Sequence, residues 1–256
     1  MFDAGRVLRP QDLGVISWIG RARANVVRQP RVRLVITGNE VLPPGTKPRG
    51  HCITDANGPM LTALAERDGA IVDVRDPIRD DSDAILAALQ ADADIVIVSG
   101  GSSVGIEDLA PSLVAAHGEL AVHGIAMRPS SPTGMGRLGR RLVFLLPGNP
   151  VSALCAYDFF AGRAIRTLGG RTKDWPYRSV RGTLDRKINS PIGRLDYARV
   201  RVDPSTTLGA GTRVTPLSVA GASVLSSTTR ADGFVIVDDD SEGFSAGSEV
   251  DVWLYA

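Results

Sequence analysis

The run Ile95-Val96-Ile97-Val98 constrains the fold more than any other stretch of this chain. Four consecutive β-branched apolar residues suit a strand buried on both faces, as in the middle of a parallel α/β sheet. The run leads at once into Ser99-Gly100-Gly101-Ser102-Ser103-Val104-Gly105, then Glu107 and Asp108. Glycines at the carboxyl end of a strand let the backbone turn sharply and approach a ligand without a Cβ in the way. The hydroxyls of Ser99, Ser102 and Ser103, with free amide groups, are donors suited to phosphate. Ligands of open α/β sheets bind at that edge. Asp108 then stands beside an anion, where a metal ion or a catalytic acid belongs. The competing reading is an ordinary Gly/Ser turn followed by a solvated carboxylate.

The surrounding pattern supports a sheet of this kind. Strands are expected over 32–36, 70–74, 95–98 and 142–146, and helices over 59–68, 82–90 and 151–168. Asp81 or Ser82 is placed to cap the second helix. Strands alternating with helices of about ten residues argue for βαβ units. After Gly169-Gly170 the character changes to short strands, over 178–184, 197–202, 212–217, 233–237 and 249–254, with turn signals and no helical stretch between them. The expected organisation is α/β, a parallel-type sheet flanked by helices over 31–170, followed by a small all-β barrel over 171–256. Residues 1–30 fit neither pattern, although a short helix is readable there.

Bulk properties exclude several functions. A net charge of +1 gives no electrostatic case for nucleic acid or an anionic membrane. Cys52 and Cys155 make neither a disulfide framework nor a zinc site, and Cys155 reads as a small buried hydrophobe. His51, His117 and His123 lack metal-ligand spacing. There is no apolar stretch of membrane-spanning length, no secretion signal, no P-loop and no nucleophile elbow. A cytoplasmic protein is expected.

Several strand ends carry polar or glycine-rich residues: Thr37-Gly38-Asn39-Glu40, the loop to Asp80-Asp81, Ser99-Gly100-Gly101 and Pro147-Gly148-Asn149-Pro150. Thr54-Asp55-Ala56-Asn57-Gly58 opens a helix. In a parallel sheet these loops converge, gathering Glu40, Asp55, Asp80 and Asp108 around the Gly/Ser cradle. Carboxylates beside an anion make sense with a divalent cation between them, or with one acting as acid or base. Arg128-Pro129-Ser130-Ser131-Pro132 adds a modest anion-binding set.

In this order, these motifs resemble the MoeA/gephyrin E-domain family, the molybdenum insertases. The tail, with Ser190-Pro-Ile-Gly-Arg194, Tyr197-Ala-Arg199 and Ala231-Asp-Gly233, is similar to that family's C-terminal β domain. The resemblance implies a molybdopterin molybdenumtransferase that takes adenylated molybdopterin and molybdate, and cleaves the adenylate with Mg²⁺. It implies catalytic roles for Asp108, Glu40 and Asp80, with Asp108 and Glu40 on the metal. It assigns the pterin and its phosphate to Ser99, Gly100, Gly101, Ser102, Ser103, Gly105, Asp55, Asn57, Arg128, Ser131, Pro147, Gly148, Asn149 and Pro150. Molybdate falls to Arg194, Arg199 and Ser223, unless those arginines instead pair with Asp196 or Asp203. The partners implied are a second copy in a homodimer and a MogA-type adenylyltransferase upstream. Two departures keep a second reading open, a non-catalytic molybdopterin-binding module. The family has lysine where Ser131 stands, and its members carry further N-terminal domains, of which residues 1–30 are expected to be a remnant.

Overall fold

The computed structural model describes residues 6–100, 109–203, 211–217 and 225–255. The chain opens with helix α1 (Pro10–Trp18), then β1 (Arg31–Ile36) and a short pair, β2 (Val41–Leu42) and β3 (Ile53–Thr54). Next come α2 (Asn57–Arg67), β4 (Ile71–Val74), α3 (Ser82–Leu89) and β5 (Ile95–Ser99). They are followed by α4 (Leu109–His117), β6 (Glu119–His123), β7 (Met127–Arg128), β8 (Gly134–Leu138) and β9 (Arg141–Leu146). A long helical stretch closes this half: α5 (Pro150–Ala156), a π turn (Tyr157–Ala161) and α6 (Gly162–Leu168).

Six strands form one sheet in the order β4-β1-β5-β9-β8-β6. The first four are parallel. β8 runs antiparallel to both its neighbours, β9 and β6, so the sheet is mixed rather than parallel throughout. The reason is local: β8 meets β9 with Leu138 opposite Arg141, across a turn in which Gly139 has φ +59°. A crossover to a parallel partner needs a dozen residues or more.

β5 sits at the centre, as its composition demands. All four residues Ile95–Val98 have zero exposure. Ile95 and Ile97 pack with Leu61, Ala153 and Ile165 on one face, while Val96 and Val98 pack with Ile85, Ala110 and Val114 on the other. The period-two alternation thus feeds two separate cores. Asp81 caps α3 by accepting the Ala84 amide at 2.8 Å.

The second half contains β10 (Arg178–Leu184), β11 (Ile188–Asn189), β12 (Leu195–Asp203) and β13 (Arg213–Pro216). It ends with α7 (Ser226–Thr229), β14 (Gly233–Val237), β15 (Gly243–Phe244) and β16 (Glu249–Leu254). The order β13-β10-β16-β14-β12 closes on itself because β13 also pairs with β12. This is the expected small barrel, filled by Leu184, Val200, Val214, Val235, Val237 and Val252. α7 corrects the expectation of no helical stretch here; its Ser-Ser-Thr-Thr sequence has no apolar periodicity to announce a helix.

β7 belongs to the first half in sequence but to the second sheet in space. Met127 and Arg128 pair in parallel with Leu195 and Asp196 of β12. Around that junction Met127, Val151, Cys155, Tyr177, Tyr197 and Phe234 form one apolar cluster. Among the described residues no helix is long and apolar enough to cross a membrane.

Candidate functional site

The carboxyl ends of β1, β5 and β9 border a cavity of about 530 Å³, lined by Thr37, Glu40, Asp55, Asn57, Ser99, Gly100, Gly148, Asn149 and Pro150, among others. That volume falls in the range of about 300–1,000 Å³ usual for small-molecule sites. The convergence read from the strand ends is therefore real for Glu40, Asp55, Asn57, Ser99, Gly100 and the Gly148–Pro150 turn.

Asn57, the first residue of α2, is the strut of this site. Its side-chain amide donates to Ser99 Oγ at 2.9 Å and to the Gly148 carbonyl at 2.8 Å. One side chain thereby ties the start of α2 to the ends of β5 and β9. Gly100 makes the close approach possible. It has φ +106°, and a Cβ there would lie 2.2 Å from the Thr37 carbonyl oxygen. Two buried atoms in the wall, Thr37 Oγ1 and Asn57 Oδ1, have no hydrogen-bond partner among the described residues. Thr37 was visible in its motif, but nothing in the sequence marked it as a site residue.

The carboxylates separate into different roles. Glu40 lines the cavity. Asp55 is buried and accepts the Gly58 amide at 2.8 Å, holding the start of α2. Burial pushes its carboxyl above the ordinary range, opposed by the backbone amides of Gly58 and Asn57. Asp80 is drawn to the β1 loop, where it accepts the Asn39 amide at 3.3 Å, but it is not among the cavity-lining residues. Asp108, Gly101, Ser102, Ser103, Gly105 and Ser223 lie outside the described residues. Among the described residues no three His, Cys, Asp or Glu side chains come together to hold a metal ion. Glu40 and Asp55 alone do not make an Mg²⁺ site, since Asp55 already serves backbone amides.

The remaining anion-binding residues sit elsewhere. Arg128 pairs with Asp196 at 2.5 Å, and Arg194 pairs with the same carboxylate at 3.2 Å. Asp196 is fully buried, so it requires such counter-charges. For Arg194 the structure thus contains the alternative pairing that the sequence left open. Arg199 is buried on β12, and Ser131 is exposed. These four are not among the residues lining the strand-end cavity. The sequence offered Asp196 as a partner of the neighbouring arginines, but its pairing with Arg128 carried no signal, because the two are 68 residues apart.

Comparison with known proteins agrees with this geometry. Residues 33–167 match the family described as "Probable molybdopterin binding domain", and residues 181–255 match "MoeA C-terminal region (domain IV)". A molybdopterin molybdenumtransferase of Staphylococcus aureus (strain COL) is 30% identical over 256 residues, covering 98% of this chain and 60% of the relative. Molybdopterin molybdenumtransferase 2 of Mycobacterium tuberculosis is 32% identical, covering 97% of this chain and 62% of the relative. The solved molybdopterin biosynthesis MoeA protein from Pyrococcus horikosii superposes with a TM-score of 0.80 at 29% identity, covering 98% of this chain and 61% of that one. The chain thus spans about 60% of the length of the curated relatives it matches. With a match over more than half of its length, the chain belongs to the molybdopterin-binding domain family, and a MoeA C-terminal region follows that domain.

Proposed function

We propose that this chain binds molybdopterin, free or adenylated, at the strand-end cavity and acts in the cytoplasm as a molybdopterin molybdenumtransferase in molybdenum cofactor biosynthesis. The observation that carries the reading is the cavity wall, in which Thr37 Oγ1 and Asn57 Oδ1 are buried without partners among the described residues, in a chain of the molybdopterin-binding family. Buried polar atoms are normally paired, and a ligand rich in donors and acceptors supplies what is missing. Asn57 Oδ1 can only accept, which suits the ring N–H groups of a pterin; the Thr37 hydroxyl can do either. Gly100 and Gly148 put no side chain between the cavity and the backbone, which suits the close approach of a phosphate.

The finer chemistry is part of the same proposal. In adenylate cleavage, water attacks the phosphoanhydride, AMP leaves, and a carboxylate takes the proton that the water loses. Glu40 stands at the cavity for that task, with Asp80 behind the neighbouring loop, and Asp108 is assigned to the site by the motif it follows. Bound Mg²⁺, held by Asp108 and Glu40, would neutralise charge on the phosphates. Arg194 and Arg199, with Ser223, are the proposed molybdate residues. The homodimer and the MogA-type supplier of adenylated substrate complete the reading.

The second reading, a non-catalytic pterin-binding module, draws on the engagement of Arg128 by Asp196, which occupies a cation expected at the anion. Calorimetric titration with molybdopterin, run beside an assay of AMP release from adenylated molybdopterin with and without molybdate and Mg²⁺, separates the two. Binding with AMP release supports the transferase, and binding without it supports the module. Absence of binding overturns both.

A further inference from the structure

Both helices that border the cavity lead away from it into one buried polar cluster. α2 begins at Asn57 and ends at Arg67, with Asp68 as its C-cap. α5 begins at Pro150 and passes into the π turn that carries Asp158. Asp68 accepts from Arg166 Nη1 at 2.7 Å and from the Tyr157 hydroxyl at 2.9 Å. Asp158 accepts from the Tyr177 hydroxyl at 2.9 Å and from the Tyr197 hydroxyl at 3.4 Å, with Arg67 Nη2 at 3.7 Å. Its backbone carbonyl takes the Trp175 indole N–H at 3.0 Å. Neither carboxylate is more than 1% exposed. Insertions of a π turn into an α-helix are frequent at functional positions. Here the turn brings Asp158 against Tyr177 and Tyr197, whereas Arg67 and Asp68 come from α2.

We propose that Asp158 is a positioning residue for the strand-end cavity: its carboxylate, held between Arg67 of α2 and the tyrosines of the second half, sets the spacing of the two helices whose first residues, Asn57 and Pro150, border the ligand. This rests on that cavity being the pterin site. The leverage is geometric. α2 has 11 residues, so at a rise of about 1.5 Å per residue its cavity end lies about 16 Å from the cluster. A tilt of a few degrees at that distance moves Asn57 by about 1 Å, a displacement that can cost a site about 10²-fold.

The cluster also supplies a natural perturbation. Burial raises the Asp158 carboxyl to about 6; Arg67, Tyr177 and Tyr197 oppose the rise, and Asp68 adds to it. Cys155 of α5, Tyr157 beside it, Tyr177, Tyr197 of β12 and Tyr255 after β16 are all pushed up by burial, so they stay protonated where Asp158 titrates. Arg166 faces the group through Asp68. On gaining a proton, Asp158 ceases to balance Arg67 and presents a hydroxyl to tyrosines that had been donating to it.

The test is a ¹H–¹⁵N titration of the whole chain from pH 5 to 7.5, following the amides of Asn57, Gly58, Gly148, Asn149 and Val151. In the parent these should shift together with a midpoint near 6. In Asp158→Asn that transition should vanish, and in Arg67→Met its midpoint should rise, because removing the cation makes the carboxylate harder to form. Molybdopterin affinity, measured alongside, should change about fivefold or more through the parent's transition and stay level in Asp158→Asn. Cavity amides that do not move in the parent, or that titrate alike in Asp158→Asn, overturn the proposal. If Asp158→Asn does not fold, an unmoved midpoint in Arg67→Met does so. Failure of the pterin to bind at any pH counts against the cavity reading instead, and the amide titration still decides the coupling.

Discussion

Gly100→Ala should destabilise the protein at the point where the sheet meets the cavity. The residue has φ +106°, a conformation that costs a side-chain-bearing residue about 1–3 kcal/mol. The new methyl would also lie 2.2 Å from the Thr37 carbonyl oxygen and 3.0 Å from Thr37 Oγ1. The carbonyl is backbone at the end of a paired strand and cannot rotate away, so the ends of β1 and β5 must part. Overpacking of that kind costs about 1–3 kcal/mol. Together these predict a loss of about 2–6 kcal/mol, or about 4–24 °C in Tm for a chain of this size. Gly148→Ala is the control. It faces the same cavity, yet its Cβ would meet only Gly100 Cα at 3.5 Å, an ordinary contact. That variant should keep the parent's stability within about 0.5 kcal/mol while binding the pterin more weakly. Urea denaturation of the three proteins, with the slope m checked for constancy, measures the difference. A Gly100→Ala midpoint equal to the parent's would show that β1 and β5 are not packed through Gly100 and would refute the reasoning.

Asn57→Ala removes one buried and one part-buried hydrogen bond and leaves Ser99 Oγ and the Gly148 carbonyl without that donor, so chemical denaturation should report a loss of about 1–3 kcal/mol per group left unpaired. Retention of full stability would mean that a water replaces the amide. Stability should also depend on pH through Asp158, whose carboxyl rises from 3.8 to about 6 in the folded protein. The folded state then holds a proton that the unfolded state has already released, so this residue's contribution falls as pH rises from about 4 to 6, by about 3 kcal/mol in all. Denaturation midpoints for Asp158→Asn across that window should lack the parent's decline, and an identical decline in both proteins would remove the assignment.

Much of the fold was legible because its signals are local. Ile95–Val98 could only be a strand covered on both sides, and the bounds of β10, β14 and β16 follow from alternation between turn residues. Asp81 announced the start of α3 by its place before an apolar run. The cavity was legible for the same reason, since parallel strands must deliver Thr37, Ser99 and Pro147 to one edge. What escaped the sequence depends on contacts between distant residues. The reversal of β8 follows from a glycine turn too short for a crossover, and β7 is two residues long with no period to read. Arg128 looked like an anion ligand until the fold brought Asp196 beneath it. The π turn and its buried carboxylate are invisible because Tyr157-Asp-Phe-Phe-Ala reads as one more turn of a continuous helix.

The crossing of β7 into the second sheet has a consequence for how the molecule can come apart. Met127 and Arg128 are flanked on both sides by segments of the first half, yet their ladder partners, Leu195 and Asp196, lie in the second. The barrel is therefore stitched to the sheet by a loop of chain passing through it, in addition to the covalent link after α6. A protease that nicks the link between α6 and β10 should leave both pieces associated. Releasing the barrel requires the strand pair and the Arg128–Asp196 ion pair to break together, which leaves a buried carboxylate with one cation fewer. Swapping the second half between relatives should accordingly succeed only when the short segment around Arg128 travels with it.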